Sequence, residues 1–477
     1  MKKANTFIAF LPIILLITFI FCNVYTFGDS ALEGPCQISL IAISAICTAI
    51  GMLCYHIPWK DFENEFAKKI KEISTAILIL LIIGALSSIW MISGIVPTLI
   101  YYGLEIIHPR FFFATTCIIC ALVSVVTGSS WTTLATIGIA LLGIGKALGF
   151  SDAMTAGAII SGAYFGDKVS PLSDTTVFAS STVGTPLFDH IRYLMITTTP
   201  AFILTLIIFT CIGLTGTPTD SFHIHLFSEA LATRFHISPW LLLVPLATGM
   251  LIARKIPSAI TLFLSTLLAV VFAIIFQSDA LAAIGEGNLF KGIITCLYGN
   301  TSLETSSDLL TNLIATRGMN GMINTVWLIL CAMFFGGALT ASGMLDTITH
   351  TITGFIRNRF SMVSSTLLTG FFMNLTTSDQ YLSILITGNI FLPIYQKFGY
   401  EKRLLSRSIE DSATVTSPLI PWNSCGITQA TVLSVPTITY LPYCFFNYIS
   451  PLISMFIAAI GYKIYRRGIS KSRSLEC

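Results

Sequence analysis

Gly166-Asp167-Lys168-Val169-Ser170-Pro171-Leu172-Ser173-Asp174-Thr175-Thr176 lies inside a stretch, 152–187, that is otherwise apolar enough to sit in lipid. A charge at mid-bilayer costs on the order of 3 kcal/mol per residue, so three ionisable groups here need partners or water. Pro171 lacks an amide donor and its ring clashes with the carbonyl four residues earlier, which predicts a break in the helix and freed backbone carbonyls. Carbonyls, hydroxyls and carboxylates are hard oxygen ligands, the set that a small unpolarisable cation such as sodium accepts. The stretch holds no thiolate or imidazole.

The rest of the chain supports a membrane setting. Of 477 residues 54% are apolar and 10% are charged, against roughly 25% charged in a soluble domain. Span-length apolar runs recur along the whole length, leaving no soluble domain. The net charge of +3 comes from short basic clusters between apolar runs, which excludes a nucleic-acid surface and serves instead to orient the chain. The twelve cysteines are scattered, mostly in apolar segments, and read as small packing residues, Cys117 and Cys120 included. Lys2 and Lys3 precede an apolar run, 7–27, that has span length and no small-residue cleavage site, so it reads as a retained first helix.

Spans are predicted near 7–27, 36–55, 73–92, 152–187, 191–214, 238–253, 257–277, 322–343, 402–435 and 437–464. Two further stretches, 110–148 and 361–398, are too long for one helix and carry polar residues at their middles: Thr127, Gly128, Ser129 and Ser130 in the first, Asn374 to Asp379 in the second. Irregular backbone at membrane depth is tolerated only beside protein or water, so both read as re-entrant hairpins with buried tips. The expected fold is an all-α polytopic membrane protein of about ten transmembrane spans plus two re-entrant hairpins.

Lys2, Lys3, Lys60, Lys68, Lys69, Lys71, Arg254, Lys255, Arg357, Arg359, Lys397, Lys402, Arg403, Arg466 and Arg467 mark cytoplasmic segments, while Asp29, Glu33, Asp220, Glu229 and Arg234 lie in less basic ones. Both termini then lie inside, the first hairpin enters from outside and the second from the cytoplasm. Gly84 to Ser87 precedes the first hairpin as Gly337 to Thr340 precedes the second, and Ser170-Pro171-Leu172 follows the first as Ser417-Pro418-Leu419 follows the second. This predicts inverted-topology repeats with two discontinuous helices, an arrangement that puts a substrate site near the midplane. The corresponding organisation is 1–72 for N-terminal spans and a cytoplasmic amphipathic segment, 73–214 for the first repeat, 215–321 for connecting spans and extracytoplasmic segments, and 322–477 for the second repeat and a cytoplasmic tail.

The second break, Glu410 to Ser424, repeats the recipe with Pro418 and Pro421 and adds Asp411, Ser417 and Asn423. The second hairpin tip adds Thr376, Thr377, Ser378 and Asp379, so three clusters of carboxylates and hydroxyls converge on one expected cavity. Its candidate cation and proton ligands are Asp167, Lys168, Ser170, Ser173, Asp174, Thr175, Asp379 and Asp411. Burial disfavours the charged form of a carboxylate and a bound cation favours it, so proton and sodium exclude one another on the same group. Asp174 or Asp167 is expected to be that group and to hold Na+, with Lys168 as an internal counter-charge. Alternating access then gives exchange.

The run from Ser161 to Thr176, with Asp411 to Thr414 and Ser417 to Asn423, resembles the NhaC family of sodium/proton antiporters. The resemblance covers the chain from about the third span to the last. It implies an ion-transporter fold with two hairpins and two discontinuous helices, and the cytoplasmic membrane of a prokaryote as its location. Similar proteins exchange an organic anion, malate against lactate, with sodium and protons, and the motif does not separate the two activities. A small organic anion, an amino acid and a homodimeric state therefore stay open.

Plainer readings stand beside these. Asp167 paired with Lys168 or another base would be a structural ion pair holding helices in register. Glu410 and Asp411 follow Arg403 and Arg407 and would form a solvated helix start. Gly162 and Gly166 suit close helix packing. Gly143, Gly145 and Gly149 near Lys146 fit no nucleotide loop, and no cofactor motif is found. His223 and His225 read as solvent-exposed, and Lys60 to Glu72 as a helix lying on the cytoplasmic membrane face. An enzyme would need a nucleophile with a base, or a His/Glu metal motif, inside a span, and the sequence holds neither. A channel would show repeated pore-lining segments.

Overall fold

In a computed structural model the chain is described over residues 6–27, 31, 33–215, 221–254, 256–303, 311, 314–354 and 356–464. Lys2, Lys3, Asp29, Asp220, Lys255, Arg466 and Arg467, and the side chains of His223 and His225, lie outside the described residues. Among the described residues there is no β-strand, only an isolated bridge between Thr301 and Thr316. Seven helices are long and apolar enough to cross a membrane, and ten if each of three bent pairs counts as one span. The chain is a multi-pass membrane protein.

The helices α1 (Thr6–Phe27), α2 (Pro35–Tyr55) and α3 (Trp59–Ile92) lead into the first repeat. The stretch from Lys60 to Glu72 is not a separate surface helix, because α3 runs through it as a single 34-residue helix. Phe62 and Phe66 explain why: they pack against Gly51 of α2 and against Gly337, so this face of the stretch is apolar core and not membrane surface. Helix α4 (Ile95–Ile106) was not anticipated; it is only 12 residues long, too short to span, and starts from Gly94 in a left-handed conformation with φ 82°.

The first hairpin consists of α5 (Phe112–Thr127), the tip at Gly128 and Ser129, and an outbound arm of α6 (Ser130–Thr133), a π-turn (Leu134–Gly138) and α7 (Ile139–Ala147). Helices α8 (Asp152–Val169) and α9 (Asp174–Val183) form one broken span, followed by α10 (Leu187–Thr215). Gly162 and Gly166 of α8 sit on the backbone of Cys117 and Ala121 of α5. Ser124 Oγ donates to the Ala163 carbonyl at 2.6 Å and Ser170 Oγ to the Val125 carbonyl at 2.7 Å. Partner numbers rise together, so α5 and α8 run parallel and the hairpin tip reaches the depth of the helix break.

Gly162→Ala would drive a Cβ into the Cys117 carbonyl, backbone that has no rotamer to yield. The expected loss is about 1–3 kcal/mol, read as a lower unfolding midpoint in detergent. An unchanged midpoint would mean that α5 and α8 part without cost.

Between the repeats lie α11 (Ser221–Arg234), α12 (Leu243–Ala253), α13 (Ser258–Phe276), α14 (Ser278–Ile284) and α15 (Leu289–Tyr298). The last two, bent by 77°, fall where no span was expected. The second repeat contains α16 (Ile323–Ala341) and α17 (Met344–Thr353), then a hairpin of α18 (Arg359–Thr377) and α19 (Gln380–Lys397). Its broken span is α20 (Lys402–Ile409), a π-turn (Glu410–Thr414), irregular chain through Pro418 and Pro421, and α21 (Ser424–Leu433). The short α22 (Thr437–Tyr440) and α23 (Phe445–Ile460) complete the described chain.

Several hydrogen bonds of the two repeats correspond at a spacing of 250 residues. Ser124 bonds the Ala163 carbonyl as Asn374 bonds that of Ala413. Thr127 bridges the first tip to the Ser129 carbonyl and the Thr133 hydroxyl, as Thr377 bridges the second to the Asp379 carbonyl and the Ser383 hydroxyl. Gly128 and Ser378 are both left-handed, as are Gly184 and Ser434 at the ends of α9 and α21. This register corrects the one read from sequence. The two Ser-Pro-Leu triplets fall in equivalent breaks but three residues out of step, so Ser417 is the equivalent of Asp167 and not of Ser170.

Direction follows from contacts between repeats. Asp174 and Gln380, at the starts of α9 and α19, line one cavity, and further along Thr182 packs against Gly388. Helix α9 therefore runs parallel to the outbound arm of the second hairpin. Since α9 continues the direction of α5, the second hairpin enters from the opposite side, and the repeats are inverted.

Candidate functional site

A cavity of about 530 Å³ lies where both hairpin tips meet both helix breaks. Gly128, Ser129, Ser130 and Trp131 come from the first tip, Asp167, Asp174 and Thr175 from the first break, Asp379, Gln380 and Tyr381 from the second tip, and Ser424 from the second break. Ile73, Thr75 and Ile79 of α3 close one side. Three carboxylates face the same space, and no lysine or arginine is among the lining residues.

Each carboxylate is held by its break. At the first tip Gly128 takes a positive φ of 66° with the Leu172 backbone against its Cα, a place where a side chain would not fit. That approach brings the start of α6 to Asp167. The Ser130 amide and hydroxyl donate to Asp167 Oδ2 at 3.2 and 2.7 Å, and Ser173 Oγ donates to Oδ1 at 2.6 Å. Ser173 also accepts from the Thr176 amide as the N-cap of α9. Thr176 in turn bonds the carbonyls of Asp167 and Lys168, which the break deprives of an amide partner four residues on.

Asp174, in the first turn of α9, is exposed, and with Val177 and Ser181 it forms one face of that helix along the cavity. The cavity therefore opens alongside α9, towards the end where Gly184 meets the Lys402 ammonium. Asp379 is 8% exposed. It caps α19 by accepting from the Leu382 amide at 3.0 Å, its Oδ2 faces Ser424 Oγ at 3.4 Å, and the buried Lys69 of α3 is close enough for its charge to act on it.

Several residues expected at the site sit just behind it. Ser170 is spent on the Val125 carbonyl. Thr376 bonds back to the Phe372 carbonyl, and Thr377 ties the tip together. Ser378 offers its carbonyl to the Ser424 amide at 2.8 Å, Ser417 bonds the Thr414 carbonyl and faces Gln380, and Asn423 caps Cys425 and holds the Asn374 carbonyl. All of these shape the tips and breaks without lining the cavity.

Lys168 and Asp411 depart furthest from expectation. Lys168, one residue beyond Asp167, points away from the cavity and forms a fully buried ion pair with Asp411. Neither lines the cavity, and in place of the alternative pairing of Asp167 with Lys168, Asp167 is held by Ser130 and Ser173. Asp411 also accepts from Thr197 at 3.0 Å and Ser450 at 3.2 Å, with the Arg407 guanidinium 3.8 Å away. Glu410 and Asp411 are not a solvated helix start, since both are 0% exposed. The helix before them is amphipathic, and Arg407 is drawn inside by Asp411 and by the Tyr193 ring 4.8 Å from its guanidinium carbon.

Gln380, Tyr381, Trp131, Ser181 and Ser424 join the cavity without having been singled out. Ser424 and Gln380 were readable in principle, being the 250-residue equivalents of Asp174 and Ser130. The aromatic residues and Ser181 carry no sequence signal of their own.

Comparison with known proteins places this geometry. The chain matches the model of the Na+/H+ antiporter family over residues 4–183 and 162–462. It is 36% identical over 439 residues to the Na+/H+ antiporter NhaC of Alkalihalophilus pseudofirmus, covering 92% of each chain. It is 35% identical over 421 residues to the malate-2H+/Na+-lactate antiporter of Bacillus subtilis, covering 88% of each. It is also 32% identical over 468 residues to the arginine/ornithine antiporter ArcD of Halobacterium salinarum, covering 97% of this chain and 94% of that one.

Proposed function

We propose, from the premise that the chain belongs to the Na+/H+ antiporter family, that it exchanges Na+ for H+ by alternating access at the cavity between the hairpin tips. The observation that supports this reading is the meeting of Asp167, Asp174 and Asp379, from oppositely inserted repeats, in one space. Carboxylates and hydroxyls suit sodium, and a carboxylate in such a place holds either a proton or a cation. We assign Asp174 as the group on which the two ions compete, with Asp167 as an ionised ligand to the sodium beside it. Asp174 lies at the open side, and Asp167 is presented by Ser130 and Ser173. Thr175 lies beside Asp174 on the first break, and Asp379 and Ser424 line the same cavity from the second repeat.

An organic anion is the less favoured cargo for a physical reason. Its carboxylate would enter a space with three aspartates and no lining base, where like charges repel strongly. The relative named for malate and lactate keeps that second reading in view. Purified protein in liposomes separates the two. A sodium gradient should drive proton flux without any organic solute, whereas an absolute requirement for malate, lactate or an amino acid would reverse the assignment.

We further propose a cytoplasmic-membrane location with Lys60, Lys397, Lys402 and Arg403 on the inside. The opening beside α9 then faces the cytoplasm, and the structure represents the inward-open half of the cycle. A cysteine placed at Ser181 should react with a membrane-impermeant thiol reagent only from the cytoplasmic side.

A further inference from the structure

We propose that Glu410 is a second proton-carrying group of the exchange, outside the cavity and coupled to it through Asp167. This rests on the sodium–proton reading above. Glu410 is 0% exposed, and neither carboxylate oxygen makes a hydrogen bond of normal geometry, with the Thr414 hydroxyl its polar neighbour. It begins a π-turn, a distortion that recurs at functional sites. Packing does not require an acid there. At the 250-residue spacing the first repeat has Ile160 where the second has Glu410, Ser161 for Asp411 and Gly157 for Arg407, so it carries no ionisable group at these three positions.

Charge balance supplies the coupling. The charges that act on Glu410 are Lys168, Asp167 and Asp411. Arg407 lies one turn back on its own segment, also 0% exposed and with no hydrogen bond to its guanidinium. His190 of α10, near Lys168 and Asp411, and Tyr193 of α10 and Tyr395 of α19, both near Arg407, are further titratable neighbours. Arg407 does not lose its proton. Three carboxylates and two bases therefore share one low-dielectric region, and a net buried charge there is strongly disfavoured.

Two states are neutral. In one, Glu410 carries a proton and its charge is zero, so Asp167 and Asp411 balance Lys168 and Arg407. In the other, Glu410 is ionised and a sodium ion beside Asp167 restores the balance. Moving between them breaks the Glu410 O–H bond, releases the proton to water and binds one Na+, with no other bond changed. Asp174 also acts on Asp167 but is exposed at the open side of the cavity, where its charge is screened, and Asp379 has the Lys69 charge nearby, so neither has to be balanced within this cluster.

The test uses the full-length protein in detergent, with a pH-indicator dye and titrated NaCl. Wild type should release protons on binding sodium. Glu410→Gln should still bind sodium, seen as sodium-dependent protection from thermal unfolding, while releasing one proton fewer per ion, and Glu410→Asp should restore the release. An unchanged proton count in Glu410→Gln, or loss of its sodium binding, overturns the proposal. A readout on wild type does not depend on the variant folding: the sodium-minus-potassium infrared difference spectrum must show loss of a protonated carboxyl C=O band, and this band must persist in Asp174→Asn. Its absence from wild type overturns the proposal. Failure of sodium-driven proton flux in wild type would instead sink the proposed function, so the two failures are distinguishable.

Discussion

Asp174→Asn and Asp167→Asn are each expected to reduce sodium-driven proton flux to the level of protein-free liposomes while leaving the protein inserted and monodisperse. Asparagine keeps the shape and accepts hydrogen bonds but cannot ionise, so at Asp174 it removes the competition between proton and sodium, and at Asp167 the negative charge that holds the sodium. The two variants should differ in stability. Asp174 is exposed in the cavity, and among the described residues its carboxylate has no hydrogen-bond or ion-pair partner. Asp167 accepts from Ser130 and Ser173, so Asp167→Asn places an amide NH2 against one of these donors and should also lower the unfolding midpoint. In wild type the sodium concentration for half-maximal flux should rise about tenfold per pH unit of acidification for each competing proton, by mass action. Retained flux in Asp174→Asn, with its pH dependence intact, would move the exchange site elsewhere.

Much of this arrangement is legible in the sequence because it violates the rule that lipid-facing segments are apolar. Asp167, Asp174 and Asp379 stand out since ionisable residues in spans are costly. Pro171, Pro418 and Pro421 mark the breaks because a proline cannot continue a helix. The positions of the hairpin tips follow from hydroxyl-rich middles in runs too long for one helix. What the sequence withholds is rotation about a helix axis. Asp167 and Lys168 are neighbours in the chain, yet their side chains leave a helix about 100° apart, and one enters the cavity while the other meets Asp411. The amphipathic run from Lys402 to Arg407 looks like surface because its charges have no visible partner; Asp411, four residues on, is legible as one only when the turn is known to be buried. The repeat register was hidden by the identical Ser-Pro-Leu triplets. The break geometry is set by N-cap positions, Ser173 and Asn423, where different residue types perform one role.

The ion pair itself gives the second large effect. Lys168 lies in the first repeat, and Asp411 in the second, between α10 and α23. Removing one member of a buried pair strands the other, at a cost of about 3–5 kcal/mol. The two single variants should not be equal. Asp411→Leu leaves Lys168 and Arg407 as two cations without a paired carboxylate, with Glu410 the sole acid left on that segment to answer them. Lys168→Met leaves Asp411 with the Thr197 and Ser450 hydroxyls and with Arg407, whose Nε already lies 3.8 Å from Oδ2. Asp411→Leu should therefore be the more destabilising, and Lys168→Met the milder. The double variant should recover part of the loss, since it strands Arg407 alone. Membrane proteins often unfold irreversibly, so the fair comparison is the half-life of the folded protein in detergent at fixed temperature. Losses that simply add across the two sites would mean that Lys168 and Asp411 do not act as a pair. If the Lys168→Met variant instead proved less stable than Asp411→Leu, the guanidinium of Arg407 would be excluded as the reserve partner for Asp411, and the charge balance drawn around Glu410 would lose one of its two bases.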